Sequence, residues 1–70
     1  MEKFLSFVAG IMEVDVSAIS METEYKRYEK WDSLMMLTLV MELEAEYGVS
    51  IPMESLGNVK TLADLYALVQ

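Results

Sequence analysis

Asp32 and Ser33 are the two adjacent residues of this sequence that are best placed to do chemistry. They stand at the start of the run DSLMMLTLVMELEAEY, whose apolar spacing predicts an amphipathic helix. Either side chain could cap that helix, because each offers an oxygen to the unpaired backbone N–H groups of the first turn. A helix needs only one such cap, so the second residue is available for another role.

The composition excludes most kinds of enzyme. The chain of 70 residues contains no cysteine and no histidine, so it lacks thiol nucleophiles, thiolate metal ligands and the commonest general base. Carboxylates and lysines alone remain for catalysis, in a single small domain over residues 1–70 with little volume for a pocket. We therefore expect no catalytic residues, no metal site and no enzymatic activity.

Charge and hydropathy limit the partners and the location. The net charge of −7 disfavours binding to nucleic acid or to an anionic membrane surface. No apolar run approaches the ~20 residues of a membrane span, and the N-terminal segment MEKFLSFVAGIMEVD lacks the pattern of a signal peptide. The sequence predicts a monomer in the reduced cytoplasm whose partners are proteins with basic patches.

Apolar periodicity predicts an all-α fold, a small four-helix bundle with three longer helices and one short helix. The second helix runs from Asp32 to Tyr47 and ends at Gly48. A short helix lies between Pro52 and Gly57. The expected core residues are Phe4, Leu5, Val8, Ile11 and Met12 in the first helix, Met36, Leu39, Val40, Leu43 and Tyr47 in the second, and Leu62, Leu65, Tyr66, Leu68 and Val69 in the last.

Residues 14–30 predict a long loop with one short helical turn, and a loop of this length in a small domain is often functional. A few apolar residues are expected to fix it to the core: Val16, Ile19, Tyr25 and Tyr28. The last helix opens with Thr61 and Asp64, three residues apart, which is a variant of the capping box.

The run DSLMMLTLVMELEAEYGVSIP resembles the acyl carrier proteins, whose second helix begins with Asp-Ser-Leu. Acidic residues, an aromatic residue and an Ile/Val-x-Ile-Pro segment follow in that family. The matching residues are Asp32, Ser33, Leu34, Glu42, Glu44, Glu46, Tyr47, Gly48, Val49, Ile51 and Pro52. Val16 and Ile19 before this run, and Thr61, Leu62, Asp64 and Leu65 after it, are also similar to the family. The resemblance covers nearly the whole chain.

The resemblance implies that Ser33 is the site at which a separate Mg²⁺-dependent transferase attaches 4'-phosphopantetheine from coenzyme A. The thiol of that arm carries acyl groups as thioesters, and this chain has no thiol of its own. Asp32 would cap the helix and contact the transferase. The N-terminus of the helix is a favourable place for an anionic phosphodiester.

The resemblance also implies that partner enzymes dock on the second helix. The expected docking residues are Trp31, Leu34, Met35, Thr38, Met41, Glu42 and Glu46. Trp31 has a second interpretation, as a loop residue that covers the core, and we favour that one.

Two departures from the family bear on the pathway. Fatty-acid carriers place acids two and five residues after the serine, where this chain has Met35 and Thr38. Lys26, Arg27 and Lys30 add positive charge just upstream. We therefore expect, besides the transferase, acyl-loading and acyl-processing enzymes with basic or mixed apolar docking patches. Their pathway would be a dedicated one, such as polyketide-like assembly, rather than general fatty-acid synthesis.

Two alternatives remain open at this point. One is an aminoacyl or peptidyl carrier, although the Gly-Gly-x-Ser-Leu motif of those carriers is absent. The other is a helical interaction module without a prosthetic group, which would bind its partner through Leu34, Met35 and Met41. Replacement of Ser33 by alanine would abolish function in a carrier and would leave the interaction module nearly unchanged.

Overall fold

Three α-helices and two 3₁₀ helices make up the computed structural model, which describes residues 2–70. In chain order they are α1 (Glu2–Met12), a 3₁₀ helix (Val16–Ala18), α2 (Ser33–Tyr47), a second 3₁₀ helix (Met53–Asn58) and α3 (Leu62–Val69). Across residues 2–70 the sole β-type pairing is an isolated antiparallel bridge between Glu24 and Thr61. The prediction of an all-α fold with three longer helices is confirmed, and the short helix after Pro52 is of the 3₁₀ type.

Helix α2 begins and ends where the sequence predicts. Asp32 has extended backbone angles, and its Oδ1 accepts a hydrogen bond from the N–H of Met35 at 2.8 Å. Gly48 lies in the left-handed region with φ 65°, where a residue without Cβ has no steric penalty, and its N–H donates to the carbonyl of Glu44 at 2.9 Å. The carboxylate of Glu44 also accepts from the N–H of Ile51 at 2.7 Å. Glu44 therefore fixes the segment that leaves the helix, besides adding negative charge.

Helix α1 ends at a position that the sequence does not mark. Glu13 has φ 59°, and the N–H of Val14 donates to the carbonyl of Ala9 at 3.0 Å. This pattern is the helix ending that usually has glycine in the left-handed position. A glutamate there costs roughly 1 kcal/mol, so the tertiary structure overrides local preference at this point.

The core is one cluster of apolar side chains contributed by all three α-helices and by the segments between them. Its fully buried centre consists of Phe4, Val8, Trp31, Leu39, Leu43, Leu62 and Leu65. Five of the predicted core residues are half-buried at the edge of the cluster: Leu5, Ile11, Tyr47, Tyr66 and Leu68. Aromatic pairs cover that edge, since the rings of Phe4 and Tyr66 meet edge to face with centroids 4.9 Å apart. None of the helices within residues 2–70 is long and apolar enough to cross a membrane.

The loop between α1 and α2 contains the predicted helical turn, the 3₁₀ helix Val16–Ala18. Ile19 is buried and Tyr25 and Tyr28 are half-buried, as predicted, but Val16 is 47 % exposed. The expectation that Val16 fixes the loop is therefore wrong. Helical spacing does not relate Val16 to Ile19, because Ile19 has extended backbone angles of φ −129° and ψ 162° and lies outside the turn.

Backbone hydrogen bonds join the second half of this loop to the start of α3. The N–H of Tyr25 donates to the carbonyl of Lys60 at 2.8 Å, and the N–H of Leu62 donates to the carbonyl of Thr23 at 3.1 Å. The N–H of Ala63 donates to the carbonyl of Met21 at 2.9 Å. These bonds fix the backbone at Tyr25, whose side chain reaches the start of α2.

Candidate functional site

The start of α2 separates the capping side chain from an exposed hydroxyl. Asp32 accepts the N–H of Met35 through its side chain and the N–H of Met36, at 2.8 Å, through its backbone carbonyl. Ser33 is the first residue of the helix and is exposed. Because Asp32 caps the helix alone, the hydroxyl of Ser33 is not needed for the cap.

The Ser33 hydroxyl has a neighbour that sequence reasoning missed. The phenol oxygen of Tyr25 lies 3.1 Å from Ser33 Oγ, and either hydroxyl can be the donor. The ring of Tyr25 packs against the indole of Trp31, with centroids 5.2 Å apart and planes inclined by 55°. The sequence predicted Tyr25 only as a residue that fixes the loop. No periodicity relates two residues eight apart across a loop, so the sequence contains no signal for this contact.

The space around Ser33 suits a phosphopantetheine group. Ser33 borders an open depression of about 370 Å³ on the surface. The residues that line it are Tyr25, Lys26, Tyr28, Glu29, Trp31, Asp32 and Ser33. An exposed primary hydroxyl beside open space, at the positive end of a helix of 15 residues, can accept an anionic phosphodiester without displacing a helix cap. The residues present therefore fit the group.

Trp31 is not a docking residue, which corrects one prediction and supports the alternative one. Its side chain is 1 % exposed and belongs to the buried cluster. It stands just before the capping residue Asp32, a position whose apolar side chain often packs against the fourth residue of the helix, here the buried Met36. Its indole Nε1 is buried and has no hydrogen-bond partner among the described residues.

The other expected docking residues lie at the surface of α2, with one exception. Leu34 and Met41 are 74 % and 70 % exposed, and Thr38, Glu42 and Glu46 are exposed as well. Met35 is half-buried and packs against the core, so it contributes only part of its side chain to the surface.

An exposed leucine that sequence reasoning overlooked extends this surface. Leu37 is 43 % exposed and follows Leu34 by three residues and precedes Met41 by four. Residues at these spacings share one side of a helix, so the spacing itself was the overlooked signal. We call Leu34, Leu37 and Met41 the apolar face of α2.

Charged side chains lie toward both ends of α2. Lys26, Arg27 and Lys30 are exposed in the loop that precedes it, and Glu42 and Glu46 are exposed in its C-terminal half. Arg27 forms an exposed ion pair with Glu24 at 3.5 Å, a contact that contributes little to stability. Glu24, Glu29 and Asp32 are exposed in the same loop, so a partner that covers the apolar face meets charges of both signs at one end and negative charge at the other.

Comparisons with known proteins agree with this geometry. Residues 2–69 match the model of the family described as "Phosphopantetheine attachment site". The chain is 36 % identical over 64 residues to the acyl carrier protein of Onion yellows phytoplasma (strain OY-M), covering 91 % of this chain and 84 % of that protein. It is 30 % identical over 69 residues to the acyl carrier protein of Rickettsia canadensis (strain McKiel), covering 99 % of this chain and 80 % of that protein.

The fold agrees with a solved structure as well. The solution structure of the holo acyl carrier protein from Geobacter metallireducens has a TM-score of 0.84 and 25 % sequence identity, covering 97 % of this chain and 78 % of that chain. The fold and the family match together define a carrier domain with a phosphopantetheine attachment site. The chain belongs to the acyl carrier protein family. Members of that family are carriers and not catalysts, which confirms the prediction that this protein is not an enzyme.

Proposed function

We propose that Ser33 carries 4'-phosphopantetheine and that the protein delivers acyl groups, held as thioesters on this arm, to partner enzymes. One observation supports this assignment above the others: Ser33 exposes a hydroxyl at the start of α2 while Asp32 makes the helix cap. The prosthetic group supplies the thiol that this cysteine-free chain lacks.

The residues around Ser33 present the hydroxyl but do not activate it. The hydrogen-bond partner of Ser33 Oγ is the Tyr25 hydroxyl, and a neutral phenol is a poor base. The carboxylate of Asp32 accepts the N–H of Met35 and serves to hold the helix start in place. The base that removes the serine proton is therefore expected to come from the transferase, which agrees with a carrier that has no catalytic residues.

We propose the apolar face of α2, together with Thr38, Glu42 and Glu46, as the surface on which the transferase and the acyl-processing enzymes dock. Support comes from the exposure of Leu34, Leu37 and Met41 side by side on one helix, because a contiguous exposed apolar patch is typical of an interaction site. The protein is proposed to work as a cytoplasmic monomer.

We propose a dedicated acyl pathway, polyketide-like or otherwise specialised, in preference to general fatty-acid synthesis. Met35 and Thr38 stand where fatty-acid carriers usually have acids, and the structure makes the surrounding surface apolar, with Leu37 as an additional member. An enzyme that recognises such a carrier needs an apolar patch as well as charges. An aminoacyl cargo remains the alternative within the same proposal.

The first experiment is the intact mass after incubation with coenzyme A, Mg²⁺ and a broad-specificity phosphopantetheinyl transferase. The wild type is expected to gain one phosphopantetheine group, and Ser33→Ala is expected to gain none. Ser50→Ala is the matched control, since Ser50 is also exposed but lies beyond the end of α2. A gain in Ser33→Ala would place the attachment at another residue. No gain in the folded wild type with several transferases would favour the interaction module.

A further inference from the structure

We propose that Tyr25 positions Ser33 through its hydroxyl. This hydroxyl holds Ser33 Oγ before the modification and donates a hydrogen bond to an oxygen of the phosphodiester after the modification. The inference rests on the proposed attachment at Ser33 and assigns a role to a residue of the preceding loop.

The first support is the contact itself. The two hydroxyl oxygens are 3.1 Å apart, slightly longer than the usual range of about 2.5–3.0 Å for O–H···O hydrogen bonds, so the contact is a weak one. An exposed serine at the start of a helix can otherwise turn its hydroxyl among several staggered positions. The phenol favours the position in which Oγ lies within reach of the Tyr25 hydroxyl, and both residues line the depression next to α2.

The second support is that the Tyr25 side chain is already held in place before any partner binds. Its backbone N–H donates to the carbonyl of Lys60 at 2.8 Å, and its ring packs on the buried Trp31. A group that is already ordered loses little conformational entropy when it makes a new bond. A hydrogen bond from the phenol of Tyr25 to Ser33 therefore costs little further conformational entropy.

The third support follows from counting protons. In the unmodified protein either hydroxyl can donate. When Ser33 Oγ forms its bond to phosphorus it loses its proton, so Tyr25 becomes the only possible donor of the pair. Oγ is then a bridging ester oxygen and a weak acceptor, but the adjacent non-bridging oxygens share the negative charge of the phosphodiester, and hydrogen bonds to charged acceptors are roughly twice as strong as neutral ones. The contact is therefore expected to be weak before loading and stronger after it.

The competing explanation is that Tyr25 has a purely structural role, in which its ring packs on Trp31 and its hydroxyl has no effect on Ser33. The two explanations therefore differ only in the role of the phenol oxygen. Phenylalanine at this position would keep the ring on Trp31 and would remove only the hydroxyl. Tyr28 provides a matched control, because it lines the same depression and is half-buried, whereas the hydroxyl within hydrogen-bond distance of Ser33 Oγ belongs to Tyr25.

The experiment compares the wild type, Tyr25→Phe and Tyr28→Phe. We expect Tyr25→Phe to lower kcat/KM for the transferase by roughly 3- to 10-fold, the size of one hydrogen bond. We also expect it to shift the ³¹P resonance of the loaded protein. Tyr28→Phe is expected to match the wild type in both measurements. A merely structural role for the ring would leave the ³¹P resonance unchanged in Tyr25→Phe.

A second measurement needs no variant. In wild-type protein with ¹³C-labelled tyrosine, loading is expected to move the ring Cζ resonance of Tyr25 further than that of Tyr28, because only the Tyr25 hydroxyl gains a charged acceptor. Equal ³¹P resonances and equal kcat/KM in Tyr25→Phe and the wild type, or an unmoved Tyr25 resonance, would overturn the inference and leave Ser33 as the attachment site. A wild type that cannot be loaded at all would overturn the proposed function itself.

Discussion

At the scale of single residues, the start of α2 shows two neighbouring side chains with separate tasks. Asp32 satisfies the N–H of Met35, and Ser33 keeps an exposed hydroxyl whose hydrogen-bond partner is a phenol. The two tasks differ because the residues are one position apart: Asp32 is the capping residue just outside the helix, and Ser33 is the first residue inside it. A serine in the capping position would have its oxygen occupied by the helix backbone.

This division predicts different effects for two substitutions of Asp32. Asp32→Ala removes the acceptor for the N–H of Met35 and is expected to lower the free energy of unfolding by about 1 kcal/mol. Asp32→Asn keeps an acceptor oxygen and is expected to retain most of that stability, because asparagine caps about as well as aspartate. Urea unfolding of both variants measures the difference.

The same two variants distinguish the capping role of Asp32 from its expected contact with the transferase. If Asp32 meets a basic patch on that enzyme, Asp32→Asn should lower kcat/KM for the modification although it keeps most of the wild-type stability. Equal kcat/KM in Asp32→Asn and the wild type would contradict the contact and leave Asp32 with the capping role alone.

At the scale of elements, the start of α3 holds the loop that positions Tyr25. Thr61 and Asp64 form a capping box, in which the Thr61 hydroxyl accepts the N–H of Asp64 at 3.3 Å and the Asp64 carboxylate accepts the N–H of Thr61 at 3.1 Å. That carboxylate also accepts the N–H of Lys60 at 2.9 Å. The carbonyl of Lys60 in turn accepts the N–H of Tyr25, so the cap of α3 and the position of Tyr25 are connected through one peptide segment.

The capping box predicts a pH dependence of stability. Backbone N–H groups of Lys60 and Thr61 hold the pKa of Asp64 below its ordinary value. A carboxyl whose pKa is lower in the folded state stabilises the fold above its unfolded pKa of about 3.9, and this contribution is lost as the pH falls through the lower folded value. Asp64→Asn is therefore expected to be less stable than the wild type at neutral pH, with a difference that shrinks below about pH 4.

The measurement is the urea midpoint of the wild type and Asp64→Asn between pH 7 and pH 3. Asp15→Asn is the control, since Asp15 precedes the 3₁₀ helix Val16–Ala18 but its side chain makes no capping hydrogen bond. A difference between wild type and Asp64→Asn that stays constant down to pH 3 would mean that the charge of Asp64 does not strengthen the box.

At the scale of the whole molecule, the surface around α2 combines three kinds of chemistry. The apolar face runs along the helix from the residue after Ser33, charges of both signs stand in the preceding loop, and negative charges stand in the C-terminal half of α2. Complementary charges fix the orientation of a partner and speed its encounter, whereas covered apolar area contributes affinity. A partner with both features can place its catalytic site over Ser33.

Substitution of Met41 tests this surface as a whole. Met41→Gln is expected to change the free energy of unfolding by less than about 0.5 kcal/mol, because the side chain is exposed. It is expected to lower kcat/KM for the transferase or a loading enzyme about fivefold, corresponding to about 1 kcal/mol of lost apolar contact. Met53→Gln is the matched control, since Met53 is 67 % exposed but lies on the second 3₁₀ helix.

The same assay addresses the pathway. A malonyltransferase of fatty-acid synthesis is expected to load the wild-type protein slowly, because the acids that such enzymes usually meet are replaced by Met35 and Thr38. Loading as fast as that of a fatty-acid carrier would contradict the dedicated pathway.

In the comparison of the two methionine variants, equal losses of kcat/KM in Met41→Gln and Met53→Gln would contradict the apolar face as the docking surface.

Local patterns in the sequence determined the helices and the two chemical positions of the site. The boundaries of α2 follow from Asp32 and Gly48, and the buried residues of its inner side follow from helical spacing, because capping and periodicity depend only on neighbours within a few residues. The exposed hydroxyl of Ser33 follows in the same way, since its place one residue after the cap is a local property.

Only the tertiary structure decided what the loop does. The sequence could not predict that Tyr25 would reach Ser33 or that Val16 would point to solvent. It left two interpretations of Trp31 open, and the burial of its side chain agrees with the favoured one. Each of these depends on how an irregular segment packs against α2 and α3, and such segments have no period from which a direction can be read. Contacts between residues distant along the chain are settled by the fold as a whole, so the partner of the Ser33 hydroxyl emerged only from the structure.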